Sequence, residues 1–257
     1  MASAIIGGLL RQGMAAGQFI VVEPHAPQRD KLMAELGISA ISQANATLAS
    51  AAQVVWAVKP QSFREAAQHT AAYTREALHL SVMAGITSAS MAQLLGSQRI
   101  VRAMPNTPAL IGKGIAGLYA REAVSDEEKL CIEALLESTG EHLWVAQESH
   151  LDAVTAISGS GPAYVFFFIE AMMHAGQKMG LSEQQARQLA QSTFVGAAEL
   201  SRQSSESPEV LRQRVTSKGG TTYAALTAMQ DKQVGEHFEQ ALHAAHQRAT
   251  QLGAEFG

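Results

Sequence analysis

The run Ser217-Lys218-Gly219-Gly220-Thr221-Thr222 carries the clearest chemistry in this chain of 257 residues. Two adjacent glycines free the backbone to curve, and a helix is expected to begin just after them, at Thr221 or Thr222. N–H groups at a helix start have no partner within the helix, and the dipole behind them favours negative charge. Such a turn attracts a carboxylate or a phosphate, and the two threonine hydroxyls add donors and acceptors beside it. A turn that is merely capped needs fewer glycines and a single hydroxyl. Ser217, Gly219, Gly220, Thr221 and Thr222 therefore read as a binding site for a small anion.

A second run, Ser158-Gly159-Ser160-Gly161-Pro162-Ala163-Tyr164, sets serines and glycines directly before a helix with proline in its first turn. Capping and close packing explain Ser160 and Pro162, but not why glycine stands on both sides of Ser160. Three further segments each follow a strand-like run: Ala57-Val58-Lys59-Pro60, Met83-Ala84-Gly85-Ile86 and Met104-Pro105-Asn106-Thr107-Pro108. Each alone is ordinary turn chemistry. Together, at the carboxyl ends of strands in a parallel sheet, they describe a cleft for a flat cofactor. Glu23 ends the first visible strand, where an acid in a dinucleotide fold binds the adenosine ribose hydroxyls and favours NAD. A solvated acid before the turn at Pro24 fits equally, and Gln28 and Arg29 suit a 2′-phosphate, so cofactor preference stays open.

Other chemistries find little support. The nine histidines are scattered, and His243 and His246 lack an Asp or Cys at matching spacing, so no metal site is expected. Neither a serine-hydrolase elbow nor a P-loop is present. The single cysteine, Cys131, excludes an internal disulfide and is expected to be a small buried hydrophobe. A net charge of -4 without a Lys/Arg run speaks against nucleic acid. The most apolar run, Tyr164 to Met173, is interrupted by Glu170 and is too short to span a bilayer, and no signal peptide is visible. A cytoplasmic protein with no membrane contact is expected.

These residues need elements to hold them. Up to about residue 148, β-rich runs (Phe19 to Glu23, Val54 to Val58, Leu78 to Val82, Ile100 to Ala103, Ile115 to Tyr119, His142 to Val145) alternate with helical stretches (Gln28 to Leu36, Ser62 to Tyr73, Ser90 to Leu95). Continuous apolar strands separated by helices predict a doubly wound α/β domain around a mainly parallel sheet. Beyond residue 148 the β pattern stops, and helices are expected over Pro162 to Gly180, Ser182 to Arg202, Pro208 to Val215, Thr221 to Met229 and Val234 to Leu252. Tyr164 to Met173 is apolar almost all round, which a helical domain of about a hundred residues cannot bury unaided. A homodimer through this half is the economical expectation.

At four places the chain resembles the pyrroline-5-carboxylate reductases, which make proline by reducing a cyclic imine with NADPH or NADH. The matching motifs are Ala57-Val58-Lys59-Pro60, Val101 to Pro108, Ile157 to Tyr164 and Val215 to Thr222. The resemblance implies a Rossmann-like domain over 1–148 and an all-helical dimerisation and substrate domain over 149–257, with larger rings of dimers possible. It implies that Ala57, Val58, Lys59, Pro60, Met83, Ala84, Gly85 and Asn106 line the nicotinamide side of the cofactor. It further implies that Ser217, Gly220 and Thr221 hold the substrate carboxylate and that Thr222 hydrogen-bonds the ring nitrogen. Lys218 stands where many relatives carry proline. The family's first strand and glycine-rich phosphate loop have no counterpart here: Met1 to Gly8 resembles only the helix that follows them. The expectation is that Met1 is an internal methionine of a longer natural chain, and that two strands lack their central partner. A catalytically silent dimeric homologue and a β-hydroxyacid-type dehydrogenase are the alternative readings.

Overall fold

Leu78, His79, Leu80 and Ser81 are buried at every position, as a strand covered on both faces must be. The computed structural model, which describes residues 1–256, makes them the second strand of a five-stranded sheet. The chain divides into two compact units, Met1–Ser160 with the segment from Ala245 onward, and Gly161–Ala244.

The first unit runs α1 (Ala2–Arg11), β1 (Val21–Val22), α2 (Ala26–Leu36), β2 (Ala40–Ile41), β3 (Gln53–Trp56), α3 (Pro60–Thr74), β4 (Leu78–Ser81), α4 (Ser88–Leu95), β5 (Ile100–Met104), β6 (Gly114–Ala120), α5 (Asp126–Glu137) and β7 (Gly140–Trp144). A short helix α6 (His150–Val154) follows and passes into a π turn over Thr155–Gly159. The large sheet has the order β3-β4-β5-β6-β7 and is parallel throughout except between β5 and β6. One face of it buries Leu78, Leu80, Val101, Ala103 and Leu118 against Ile5 and Leu9 of α1 and Ile132 and Leu136 of α5. The other buries Trp56 and Ile100 against Phe63 and Ala67 of α3 and Met91 and Leu95 of α4. Each fully buried Leu or Ile contributes roughly 1.5–3 kcal/mol of transfer free energy.

The doubly wound architecture follows the sequence reading, with three differences. Only Val21–Val22 of the run from Phe19 to Glu23 pairs, with β2, while Phe19 turns inward against two apolar clusters. These two strands form a separate small sheet, so β1 and β3 each lie at a sheet edge. Second, α5 was not expected, although Ser125 and Glu128 close a capping box and Asp126, Glu127 and Glu128 load its first turn with favourable charge. Third, Cys131 is exposed rather than buried. It sits one residue before Ile132 on α5, roughly 100° around the helix from the buried line of Ile132 and Leu136.

The second unit contains α7 (Gly161–Lys178), α8 (Glu183–Gln203), α9 (Pro208–Arg214), α10 (Thr221–Asp231) and the larger part of α11 (Val234–Phe256). Ser182 and Ser207 cap α8 and α9 through their side chains. Tyr164 and Phe168 of α7 close edge-on around Phe238 of α11, while Gly176 allows Ala186 of α8 to approach closely. Much apolar surface stays uncovered: Phe166 is 64% exposed, Phe167 65% and Val195 69%. The helical stretch His150–Lys178 is also longer than the apolar run seen in the sequence, and by length and composition alone it is sufficient to cross a membrane.

Candidate active site

Parallel pairing sets Trp56 opposite Ser81 and Ser81 opposite Arg102, so β3, β4 and β5 finish side by side. The three loops singled out in the sequence therefore leave one edge of one sheet. Ala57, Val58 and Lys59 lead into α3, whose N-cap Lys59 supplies no side-chain hydrogen bond and whose first residue is Pro60. Pro60 has no N–H and the Ser62 N–H closes onto the Lys59 carbonyl (2.9 Å), so no side chain caps this helix start. After β4, the Met83 N–H donates to Ser81 Oγ (3.2 Å), which holds its side chain inward at 3% exposure. Ala84 is half-buried. Gly85 has φ +78, and a Cβ there would lie 3.0 Å from the Leu252 carbonyl oxygen, so both conformation and space call for glycine.

Asn106, after β5, is committed on both sides of its amide. Its Oδ1 accepts from the Ile115 N–H (3.0 Å) and its Nδ2 donates to Ser158 Oγ (3.2 Å). Asn106 thereby ties the loop to the π turn, and its own polar atoms are spent within the protein. Gly159 in that turn meets Met104, whose Cε would sit 2.6 Å from an added Cβ, whereas a methyl on Gly161 would touch nothing within 4 Å. Close packing thus accounts for one of the two glycines beside Ser160, and nothing in the structure explains the other.

A charged cluster absent from the sequence reading locks these loops together. Glu148 accepts from the Ser88 N–H (2.6 Å) and Ser88 Oγ (2.6 Å) at the start of α4, and from Arg102 of β5 (2.8 Å). Arg121 adds a bond to Ser88 Oγ (3.2 Å). Burial alone would raise the Glu148 pKa, but the donors from Ser88 and Arg102 outweigh it and hold the carboxyl below its ordinary value. The signal was present in the sequence: Arg102 is a charge inside an apolar strand, and a charge buried there requires a partner.

Glu23 follows β1 directly. Its carboxylate accepts from the His25 N–H (2.9 Å), and its carbonyl, with that of Pro24, accepts from Arg29. Arg29 is therefore engaged with backbone. Among the described residues, no three His, Cys, Asp or Glu side chains are grouped to hold a metal ion.

In the second unit α10 begins at Thr221, with Gly220 as a cap that has no side chain to offer. The Gly220 N–H closes a tight turn onto the Ser217 carbonyl (3.0 Å), and Gly219 at its third position has φ +73, as a type II turn demands. A Cβ on Gly220 would lie 2.6 Å from Ser217 Oγ. Gly219 is thus called for by conformation, while a Cβ on Gly220 would displace the Ser217 hydroxyl and crowd its carbonyl at 3.2 Å. What remains at the tip is an uncapped helix N-terminus flanked by the hydroxyls of Ser217, Thr221 and the half-buried Thr222.

The comparisons with known proteins bear on this arrangement. Residues 148–252 match the family model for pyrroline-5-carboxylate reductase dimerisation, and residues 1–85 match that for NADP oxidoreductase, coenzyme F420-dependent. A pyrroline-5-carboxylate reductase of Pseudomonas aeruginosa is 43% identical over 259 aligned residues, spanning 100% of this chain and 95% of that protein. The chain belongs to the pyrroline-5-carboxylate reductase family. A solved reductase of this family from Coxiella burnetii, 33% identical, superposes with a TM-score of 0.89 over 98% of this chain and 94% of its own. The Plasmodium falciparum reductase, solved with NADP bound, is 26% identical with a TM-score of 0.83, covering 98% and 96% of the two chains. Pyrroline-5-carboxylate reductases are oxidoreductases that use a nicotinamide cofactor, and the three strand-end loops on one sheet edge fit such a group.

Proposed function

We propose that this chain reduces 1-pyrroline-5-carboxylate to L-proline, with NADPH or NADH as hydride donor. The observation that carries the reading is the turn at Ser217–Thr222: a helix start without a side-chain cap, bent by the left-handed Gly219 and flanked by hydroxyls. Ser217, Gly220 and Thr221 form the seat of the substrate carboxylate: the hydroxyls and the N–H groups that open α10 meet it, Gly220 leaves the space beside them, Gly219 supplies the bend, and Thr222 meets the ring nitrogen. A bound nicotinamide supplies the hydride that reduces the C=N carbon. The chain's own task is orientation, exclusion of alternative geometries and a polar group at the nitrogen as it becomes an amine. Ala57, Val58, Lys59, Pro60, Met83, Ala84, Gly85 and Asn106 line the nicotinamide side, Asn106 by shaping its loop, and Glu23 faces the adenosine ribose.

In this reading residues 1–148 bind dinucleotide and residues 149–257 bind substrate and dimerise. The uncovered Phe166, Phe167 and Val195 favour a homodimer in the cytoplasm over insertion of the α7 stretch in a membrane, since the family match across this region is a dimerisation model. The test is NADPH titration with pyrroline-5-carboxylate turnover, followed by steady-state kinetics of Thr222→Ala. That variant is expected to lose kcat/KM by tenfold or more, in the range of a positioned acid–base group, while its NADPH affinity stays within about twofold. Absence of turnover by the parent sinks the assignment; parental kinetics in the variant sink the role of Thr222.

A further inference from the structure

Glu148 lies outside every motif so far used, yet its carboxylate is the point at which three functional segments meet. On one side it holds both the N–H and the hydroxyl of Ser88, which ends the loop containing Met83, Ala84 and Gly85. On another it pairs with Arg102, two residues before Met104 and four before Asn106 on the neighbouring strand. In the chain itself it stands immediately before α6 and the π turn, where Ser158 receives the Asn106 amide. Arg102 is 9% exposed, and Arg121 donates to the same Ser88 hydroxyl that Glu148 holds. We propose that Glu148 is a positioning residue for hydride transfer: it fixes the Met83–Ser88 loop against the Asn106 loop and so sets where the nicotinamide ring lies.

This rests on the reading that those two loops line the nicotinamide. The geometry favours a functional clamp over a purely structural one. A buried ion pair is a poor source of net stability compared with apolar packing of the same volume. Here its acceptor oxygens are spent on the end of a loop that is also pinned at its start, Met83, by Ser81. A loop held at both ends has little freedom to drift, and a displacement of about 1 Å at a reacting centre costs on the order of a hundredfold in rate.

The experiment compares Glu148→Gln and Ser88→Ala with the parent, using NADPH and NADPH deuterated at the transferred C4 position. Glu148→Gln keeps the side-chain shape and one acceptor; Ser88→Ala removes only the hydroxyl link, so a folded variant is available in either case. For Glu148→Gln the expected result is a kcat lowered about tenfold, an NADPH dissociation constant within about threefold of the parent, and a deuterium isotope effect on kcat larger than the parental one. Ser88→Ala should move kcat and the isotope effect the same way by a smaller factor. A merely structural role lowers the active fraction and leaves the isotope effect unchanged, and that result overturns the proposal. Ala84→Leu separates the underlying reading: if it leaves NADPH binding and turnover at parental values, the loop does not line the cofactor and both fall. If Ala84→Leu blocks turnover while Glu148→Gln and Ser88→Ala behave as the parent, the clamp alone is refuted.

Discussion

Acidifying the solution from about pH 7.5 to about pH 5 should remove about 2 kcal/mol of stability from the first unit through one residue, His79. This histidine is fully buried in β4, and its Nδ1 accepts from the Trp56 indole N–H at 3.1 Å, which requires the neutral ring. Burial lowers its pKa from 6.5 to about 4; the Thr74 backbone opposes the shift in part, and the charge of Arg99 adds to it. In the unfolded chain the ring titrates at its ordinary 6.5. Between the two values the unfolded state binds a proton that the folded state refuses. The stabilisation is therefore complete above the unfolded pKa and declines as the pH falls towards the folded one. Integration of that linkage down to about pH 5 gives about 2 kcal/mol, at roughly 1.4 kcal/mol per decade of proton activity. Urea unfolding at constant protein concentration, followed by tryptophan fluorescence in a Trp144→Phe background, isolates the signal of Trp56. His79→Asn supplies the control, since its amide oxygen accepts the indole bond without titrating. The parent should lose about 2 kcal/mol more than His79→Asn over this interval. Parallel losses in the two proteins, or an imidazole that titrates near 6.5 by NMR in the folded state, would refute the reasoning.

Other consequences concern turns and the uncovered helix face. Gly140 has φ +131 and its missing Cβ points into the Gly114 backbone, so Gly140→Ala should destabilise by at least about 2 kcal/mol in thermal melts. Lys218 occupies the second position of the Ser217–Gly220 turn, where proline is favoured; Lys218→Pro should add about 0.4–1 kcal/mol of stability with turnover unchanged or improved. Phe167 is 65% exposed, and Phe167→Glu should convert a dimer to monomers in sedimentation velocity, with the far-ultraviolet circular dichroism retained.

Where the sequence was informative, local rules governed the outcome. The start of α10 at Thr221 follows from glycine and hydroxyl placement alone, and the closures of α2 and α4 follow from Gly37 and Gly96, both left-handed at φ 65. The common edge of the three loops was legible because apolar strands alternating with helices leave few topologies. Long-range pairing was not. Arg102 announced a buried charge, but its partner Glu148 stands 46 residues further on, among acids that look alike in one dimension. The π turn at Thr155–Gly159 arises from a slip in the helical ladder that no residue type marks. Likewise, β6 was visible as a strand, but its antiparallel direction is set by the short connection through Thr107–Ile111 and not by its own pattern.

The division of the sheet has a practical corollary. No strand among the described residues pairs with the outer side of β3, whose Gln53–Trp56 backbone ends one sheet while β1 ends the other. An edge of this kind, running through Val54 and Val55, is a template for strand addition by backbone hydrogen bonds.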